Sequence, residues 1–120
     1  MNSDCTIYNT VDLISKRWTL LILLELHRGG GGRKRYTELK SGLFDISPKM
    51  LSERLRELEK AGMIAKTVDA SRVPIRTDYE LTEMGKDFMP VIRSLKGWAL
   101  KWKGDNRVCS KVECAECNLK

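Results

Sequence analysis

The stretch "ISPKMLSERLRELEKAGMI", Ile46 to Ile64, decides how the rest of this chain is read. Leu51, Leu55 and Leu58 recur at spacings of four and three, so one stripe of a helix is apolar, while Lys49, Ser52, Glu53, Arg56 and Lys60 crowd the opposite side. Ser47 and Pro48 set its start. The serine oxygen can accept a hydrogen bond from a free backbone N–H, and proline is pre-set for the first helical position. Met50 stands where a Glu would complete a capping box, and Gly62 closes the helix. Just upstream, "YTELKSGL" reads as a shorter helix, joined to this one by a tight turn through "FDI". Two short helices so joined make a helix-turn-helix, with the opening stretch as its second member.

Working outward, Ile7, Val11 and Ile14 fall at helical spacing and predict a first helix. "KRWTLLILLELHRG" predicts a second, apolar nearly all round and therefore buried, with His27 and Arg28 in its last turn. The glycine run Gly29 to Gly32 ends it in a flexible turn. After Gly62, "MIAKTV" is strand-like and "VPIRTDYEL" alternates: Val73, Ile75, Thr77, Tyr79 and Leu81 face one way, Pro74, Arg76, Asp78 and Glu80 the other. "DASR" between them predicts a hairpin with Arg72 near its tip, and Pro74 requires an edge or tip position. Thr82 caps a last helix whose stripe runs through Met84, Phe88, Val91, Ile92, Leu95, Trp98, Ala99 and Trp102, with a bend at Pro90. The expected fold is mainly α with a small β-hairpin wing: a winged helix-turn-helix domain over residues 1–103, followed by a cysteine-bearing tail over 104–120.

At 120 residues one core is expected, and the 42% apolar and 32% charged shares are those of a folded chain. The net charge of +6 is unevenly placed: residues 33–76 hold eleven basic against six acidic side chains, so +5 of it lies around the opening helix. Such a concentration favours an anionic partner. The start "MNSDCTIY" lacks the basic cluster of a secretory signal. The longest apolar run, "LLILL", is far short of the roughly 18–20 residues that span a bilayer. A cytoplasmic protein with no membrane partner is expected. A single histidine, no nucleophile–base–acid set and a glycine run without the Lys-Ser/Thr of a phosphate-binding loop argue against an enzyme.

A helix fits the DNA major groove, with its N-terminal residues nearest the base edges. The outward positions Ser47, Lys49, Met50, Ser52, Glu53 and Arg56 are therefore the candidate contacts. Arg56 and Lys49 suit guanine or phosphate, Ser52 donates or accepts, and Glu53 can accept from a cytosine amino group. Arg72 and Arg76 on the wing suit the minor groove, and Arg35 of "RKR" suits phosphate. The bland reading is a solvated surface helix laced with Glu–Arg pairs, or a winged helix that binds protein. Trp98 and Trp102 lie one turn apart on an apolar stripe that a small domain covers poorly. Phe88, Ile92, Leu95, Trp98 and Trp102 are thus expected to form a two-fold dimer contact, placing two reading helices about one DNA turn apart on a pseudo-palindromic operator.

These residues resemble the HxlR-type winged helix-turn-helix transcriptional regulators, related to MarR. The carriers are "RWTLLILLEL", "RYTEL", "ISPKMLSERLRELEKAGMI", "VPIRTDYELTEMGK" and "LKGW", together covering roughly residues 5–102 in order and spacing. The resemblance implies a homodimeric, DNA-binding regulator of double-stranded DNA whose terminal helices form the dimer contact. It also matches Cys5 to an N-terminal cysteine that senses oxidants or electrophiles in some members. The glycine run is longer than the family's turn, and the tail lies outside its pattern.

That tail holds Cys109, Cys114 and Cys117 at C-x4-C-x2-C, the three-cysteine run of plant-type [2Fe–2S] sites, with Cys5 available as fourth ligand. Four thiolates suit zinc equally. Thiol–disulfide switching, with Cys5 as the reactive sulfur, is a third reading, and idle thiols a fourth. The expectation is a redox- or metal-responsive regulator; the rivals are a protein-interaction module and an iron–sulfur or zinc protein without operator specificity.

Overall fold

The computed structural model describes residues 4–28, 31–104 and 110–113. Its elements run α1 (Thr6–Ile14), α2 (Thr19–His27), β1 (Arg33–Arg35), α3 (Tyr36–Gly42), α4 (Pro48–Ala61), β2 (Ile64–Asp69), β3 (Arg76–Leu81), α5 (Glu83–Asp87) and α6 (Met89–Trp102). The core gathers Ile22, Leu23 and Leu26 of α2, Leu39 of α3, the α4 leucines Leu51, Leu55 and Leu58, and Ile64, Tyr79 and Leu81 of the sheet. The mainly helical fold with a small wing is as the periodicity predicts. One flank of α2 departs from it: Leu21 is exposed.

Each end of α4 is held as its sequence dictates. Ser47 Oγ accepts from Met50 N at 3.1 Å, and Pro48 opens the first turn. Gly62 takes the left-handed conformation, φ +88°, and Met63 N then reaches the Leu58 carbonyl at 3.0 Å. Tied to this end is α5. Thr82 Oγ1 donates to the Gly62 carbonyl at 2.6 Å and accepts from Gly85 N at 3.2 Å, while Thr82 N donates to the Met63 carbonyl at 3.1 Å. Gly85 sits so close that a Cβ there would lie 2.2 Å from the Met63 carbonyl oxygen.

The wing is larger than the predicted hairpin. Its sheet has three strands in the order β1-β3-β2, both pairs antiparallel, with Lys34 opposite Tyr79 and Lys66 on the other side of the same residue. Gly31 and Gly32, at φ +87° and +66°, turn the chain back so that Arg33–Arg35 pairs with β3, and Leu81 N donates to the Gly32 carbonyl at 2.8 Å. The β2–β3 ladder ends at Asp69 and Arg76, which leaves a six-residue tip, residues 70–75, where four were expected. Pro74 has no N–H to extend the ladder. Val73 and Ile75 therefore do not face inward with Tyr79 and Leu81; they stand 100% and 63% exposed.

The last helix is broken, not bent. α5 ends at Asp87 and α6 begins at Met89, with Phe88 shared as cap. Pro90 cannot donate to the Lys86 carbonyl and its ring crowds that oxygen, so it is accommodated only in a first turn. Under the wing, Glu25 of α2 is 4% exposed and holds Lys34 Nζ at 3.2 Å and Arg28 Nη1 at 3.4 Å. Gly42 leaves room for it, since a Cβ there would stand 2.4 Å from Glu25 Oε2.

Replacing Gly85 by Ala forces α5 away from the start of β2. We expect a loss of about 1–3 kcal/mol in urea unfolding; an unchanged midpoint would show that this contact relaxes without cost.

Candidate nucleic-acid interface

On α4, Lys49 and Arg56 project into solvent, as does Ser47 at its N-cap. Ser52 and Glu53 are half-buried beside them, and Met50 is half-buried and packs on the core. The leucine stripe on the far side is what turns these residues outward. Arg54 does not belong to the outward set. Its Nε donates to the Arg17 carbonyl at 2.9 Å and its Nη1 to Glu57 Oε1 at 2.6 Å.

Between the start of α3 and the wing lies a cleft of about 570 Å³ that brings Arg35, Arg72 and Arg76 together, with Tyr36, Thr37 and Val73 among its walls. The sequence placed these arginines on separate elements; β1 is what joins them. Arg35 is held at the entry to α3, where its backbone N donates to Glu38 Oε1 at 2.9 Å. Tyr36 and Thr37 join this lining, and no signal in the sequence beyond their adjacency to Arg35 marks them.

The three basic residues of "RKR" have different fates. Arg33 reaches Asp78 Oδ2 at 3.3 Å and Glu80 Oε2 at 3.4 Å, Lys34 is drawn under the sheet to Glu25, and Arg35 remains exposed at the cleft. On the wing, Arg72 is exposed with Nε 3.4 Å from Asp69, and Arg76 is half-buried with Nε 3.1 Å from Asp78 Oδ2. Hydrogen bonds from Ser71, its hydroxyl first and its N–H next, hold the Asp69 carboxyl below the usual range. Asp78 is 6% exposed. Burial works against its charge, and the Arg76 hydrogen bond and charge, joined by those of Arg33, outweigh it and leave the pKa lowered.

The expected dimer residues divide. Phe88 and Ile92 are half-buried and pack on the core, whereas Leu95, Trp98 and Trp102 are exposed, the tryptophans at 57% and 68%. Ile7, Tyr8 and Val11 of α1 and Leu21 of α2 are exposed as well. Cys5 is an exposed residue at the N-cap of α1.

The expectation of an iron–sulfur cluster or zinc on Cys5, Cys109, Cys114 and Cys117 is corrected. Among the described residues no group of three or more His, Cys, Asp or Glu side chains could hold a metal ion. Cys5 stands apart from any such group, and Cys109, Cys114 and Cys117 lie outside the described residues, so the cofactor is set aside. Also among the described residues, no helix is long and apolar enough to cross a membrane.

An outward recognition helix, a three-stranded wing and an arginine-lined cleft define a winged helix-turn-helix protein, a class of nucleic-acid binders and not of catalysts. The chain belongs to the HxlR-like helix-turn-helix family, whose model matches residues 13–107. It is 38% identical over 92 residues to the HTH-type transcriptional regulator YvaP of Bacillus subtilis strain 168, covering 77% of this chain and 82% of that one. Its structure is similar to the reduced form of the transcriptional regulator YodB from B. subtilis, with a TM-score of 0.71, 32% identity and coverage of 85% and 95%. The redox regulator HypR in its oxidised form aligns with a TM-score of 0.67, 31% identity and coverage of 81% and 96%.

The lowered pKa of Asp78 gives a pH test of the wing base. A carboxylate whose folded pKa lies below its ordinary 3.8 contributes stability that is fully present above that value and is lost as pH falls through the folded pKa. Asp78→Asn should therefore melt lower than the parent at pH 7, with the gap closing below about pH 4. A gap independent of pH would mean that the ion pairs are not its source.

Proposed function

We propose that this protein is a sequence-specific, DNA-binding transcriptional regulator that works as a homodimer on a pseudo-palindromic operator and responds to oxidants or electrophiles through Cys5. The observation that carries the reading is the exposure of Lys49 and Arg56 on the outer face of α4, together with a cleft between α3 and the wing that collects Arg35, Arg72 and Arg76. In this reading α4 lies in the major groove. Arg56 and Lys49 take guanine or phosphate, Ser52 and Glu53 read neighbouring base edges, and the half-buried Met50 offers an apolar contact near the helix start. The N-cap Ser47 borders a phosphate at the free N–H groups of the first turn. Arg35 holds the backbone from α3, and Arg72 and Arg76 exchange their aspartates for the minor groove or its phosphates.

The dimer is supported by the apolar side chains that α6, α1 and α2 leave exposed. Burying large side chains such as Leu95, Trp98 and Trp102 contributes on the order of 1.5–3 kcal/mol each. Residues 1–103 carry both tasks in this proposal. Support for redox control comes from the similarity to HypR, named a redox regulator, and to YodB, solved in reduced and in diamide-treated forms. Cys5 caps α1, the helix whose exposed Ile7 and Tyr8 would join the dimer contact.

Selection from a random duplex pool should return half-sites about one helical turn apart. On that operator Arg56→Ala should weaken binding by about 1–3 kcal/mol and relax one position, whereas Arg72→Ala should weaken all duplexes alike and lower the salt slope by about 1. Affinity indifferent to salt would instead indicate a protein-binding module. Trp98→Glu should sediment as a monomer. Cys5→Ser should bind the operator as the parent does and keep binding after oxidant treatment; release by oxidant in that variant would move the sensor elsewhere.

A further inference from the structure

Three charged side chains near the recognition helix take no part in the proposed contact and are instead bonded to one another. Taking about 100° per residue, Arg54 and Glu57 lie on one flank of α4, between the outward residues and the leucine stripe. Arg54 Nε donates to the Arg17 carbonyl at 2.9 Å, Arg54 Nη1 to Glu57 Oε1 at 2.6 Å, and Lys16 Nζ to Glu57 Oε2 at 2.5 Å. Lys16 and Arg17 belong to the corner between α1 and α2. At that corner Trp18 adopts φ +82° as the N-cap of α2, and the Arg17 guanidinium lies 5.0 Å from its ring. Both carboxylate oxygens of Glu57 are used. The hydrogen bond from Lys16, opposed by burial and supported by that from Arg54, keeps the group ionised below the usual range.

We propose that the chain Lys16–Glu57–Arg54–Arg17 carbonyl is a positioning clamp that fixes the roll and depth of α4 against the α1–α2 corner, so that operator discrimination depends on residues that touch no nucleotide. The leucine stripe alone does not do this, because apolar packing is weakly directional and tolerates small rotations about the helix axis. A planar guanidinium with one bond to a carbonyl of another element and one to a carboxylate admits a single pose. Base contacts need donors and acceptors held to within about 0.5 Å, whereas phosphate contacts tolerate a shift. Loosening the clamp therefore removes discrimination and leaves electrostatic binding in place.

The inference rests on the DNA-binding reading above, and its test separates the two. Affinities of the full-length protein are measured for the selected operator and for a scrambled duplex at one salt concentration, with thermal melting of each variant alongside. Glu57→Gln, Arg54→Lys and Lys16→Met should each lower the operator-to-scrambled ratio by about tenfold, the scale of one lost base contact, with the scrambled affinity within about twofold of the parent. Lys16→Arg, which keeps the ion pair, should retain the ratio. An unchanged ratio in Glu57→Gln and Arg54→Lys overturns the clamp. So does a parallel fall of both affinities with a shallower salt slope, which would make Arg54 a phosphate contact. Should Arg54→Lys not fold, Lys16→Met, altered at a side chain 44% exposed, decides the matter. A parent protein that does not discriminate duplexes at all refutes the regulator reading itself; hydrogen exchange then judges the clamp, which requires faster exchange of α4 amides relative to α2 in Glu57→Gln and is overturned by equal protection.

Discussion

A buried carboxylate organises this domain. Glu25 lies on the most buried helix, and a charge in that position is tolerable only if cations reach it. Arg28 does so from the C-cap of the same helix and Lys34 from β1. Because Lys34 stands opposite Tyr79 in the β1–β3 ladder, its pull on Glu25 also seats the sheet on α2. On the other side Gly42, at the end of α3, has no Cβ to obstruct the carboxylate. Wing, first helix of the helix-turn-helix and central helix are thus fixed around one charge, and α4 inherits its place from α3 through the short turn that follows. The leucines supply most of the burial, while Glu25 ties α2, β1 and the end of α3 together at one point.

The recognition helix was legible because its determinants are local. Ser47, Pro48, Gly62 and the Leu51, Leu55, Leu58 stripe act within one element, and the structure repeats them. β1 was not legible: three residues carry no periodicity, and their partner strand lies more than 40 positions away. The same applies to Asp78. Alternation along β3 marks it as outward, yet Arg33 and Arg76 close over it. Val73 and Ile75 mislead in the opposite sense, since alternation continues in the sequence after the ladder has stopped. At Pro90 the sequence predicts a bend, and a break replaces it because Phe88 can serve both helices as cap.

For the interface, the outward face of α4 followed from angular position alone, but the state of each charge did not. Arg33, Lys34 and Arg54 share the basic middle of the chain with Lys49 and Arg56, yet the first three are bonded to carboxylates of their own chain. A count of charges therefore overstates the field offered to a polyanion, and the excess serves to hold the scaffold. Arg72 and Arg76 stand between these groups, each beside an aspartate, the first exposed and the second half-buried. Sequence shows where cations are concentrated, and only the fold shows which are engaged.

The discontinuity at Phe88 has a mechanical meaning. A single rod from Thr82 to Trp102 would carry any tilt at its far end straight to the base of the wing, where Thr82 and Gly85 are locked to Gly62 and Met63. Divided at Phe88, the rod is held twice: the short piece is fastened at Thr82 and Gly85, and the long piece meets the core through Met89 and Ile92 before running out to the exposed Leu95, Trp98 and Trp102. A load applied at that outer end therefore meets the core at Ile92 and Met89 before it reaches the Thr82 anchor.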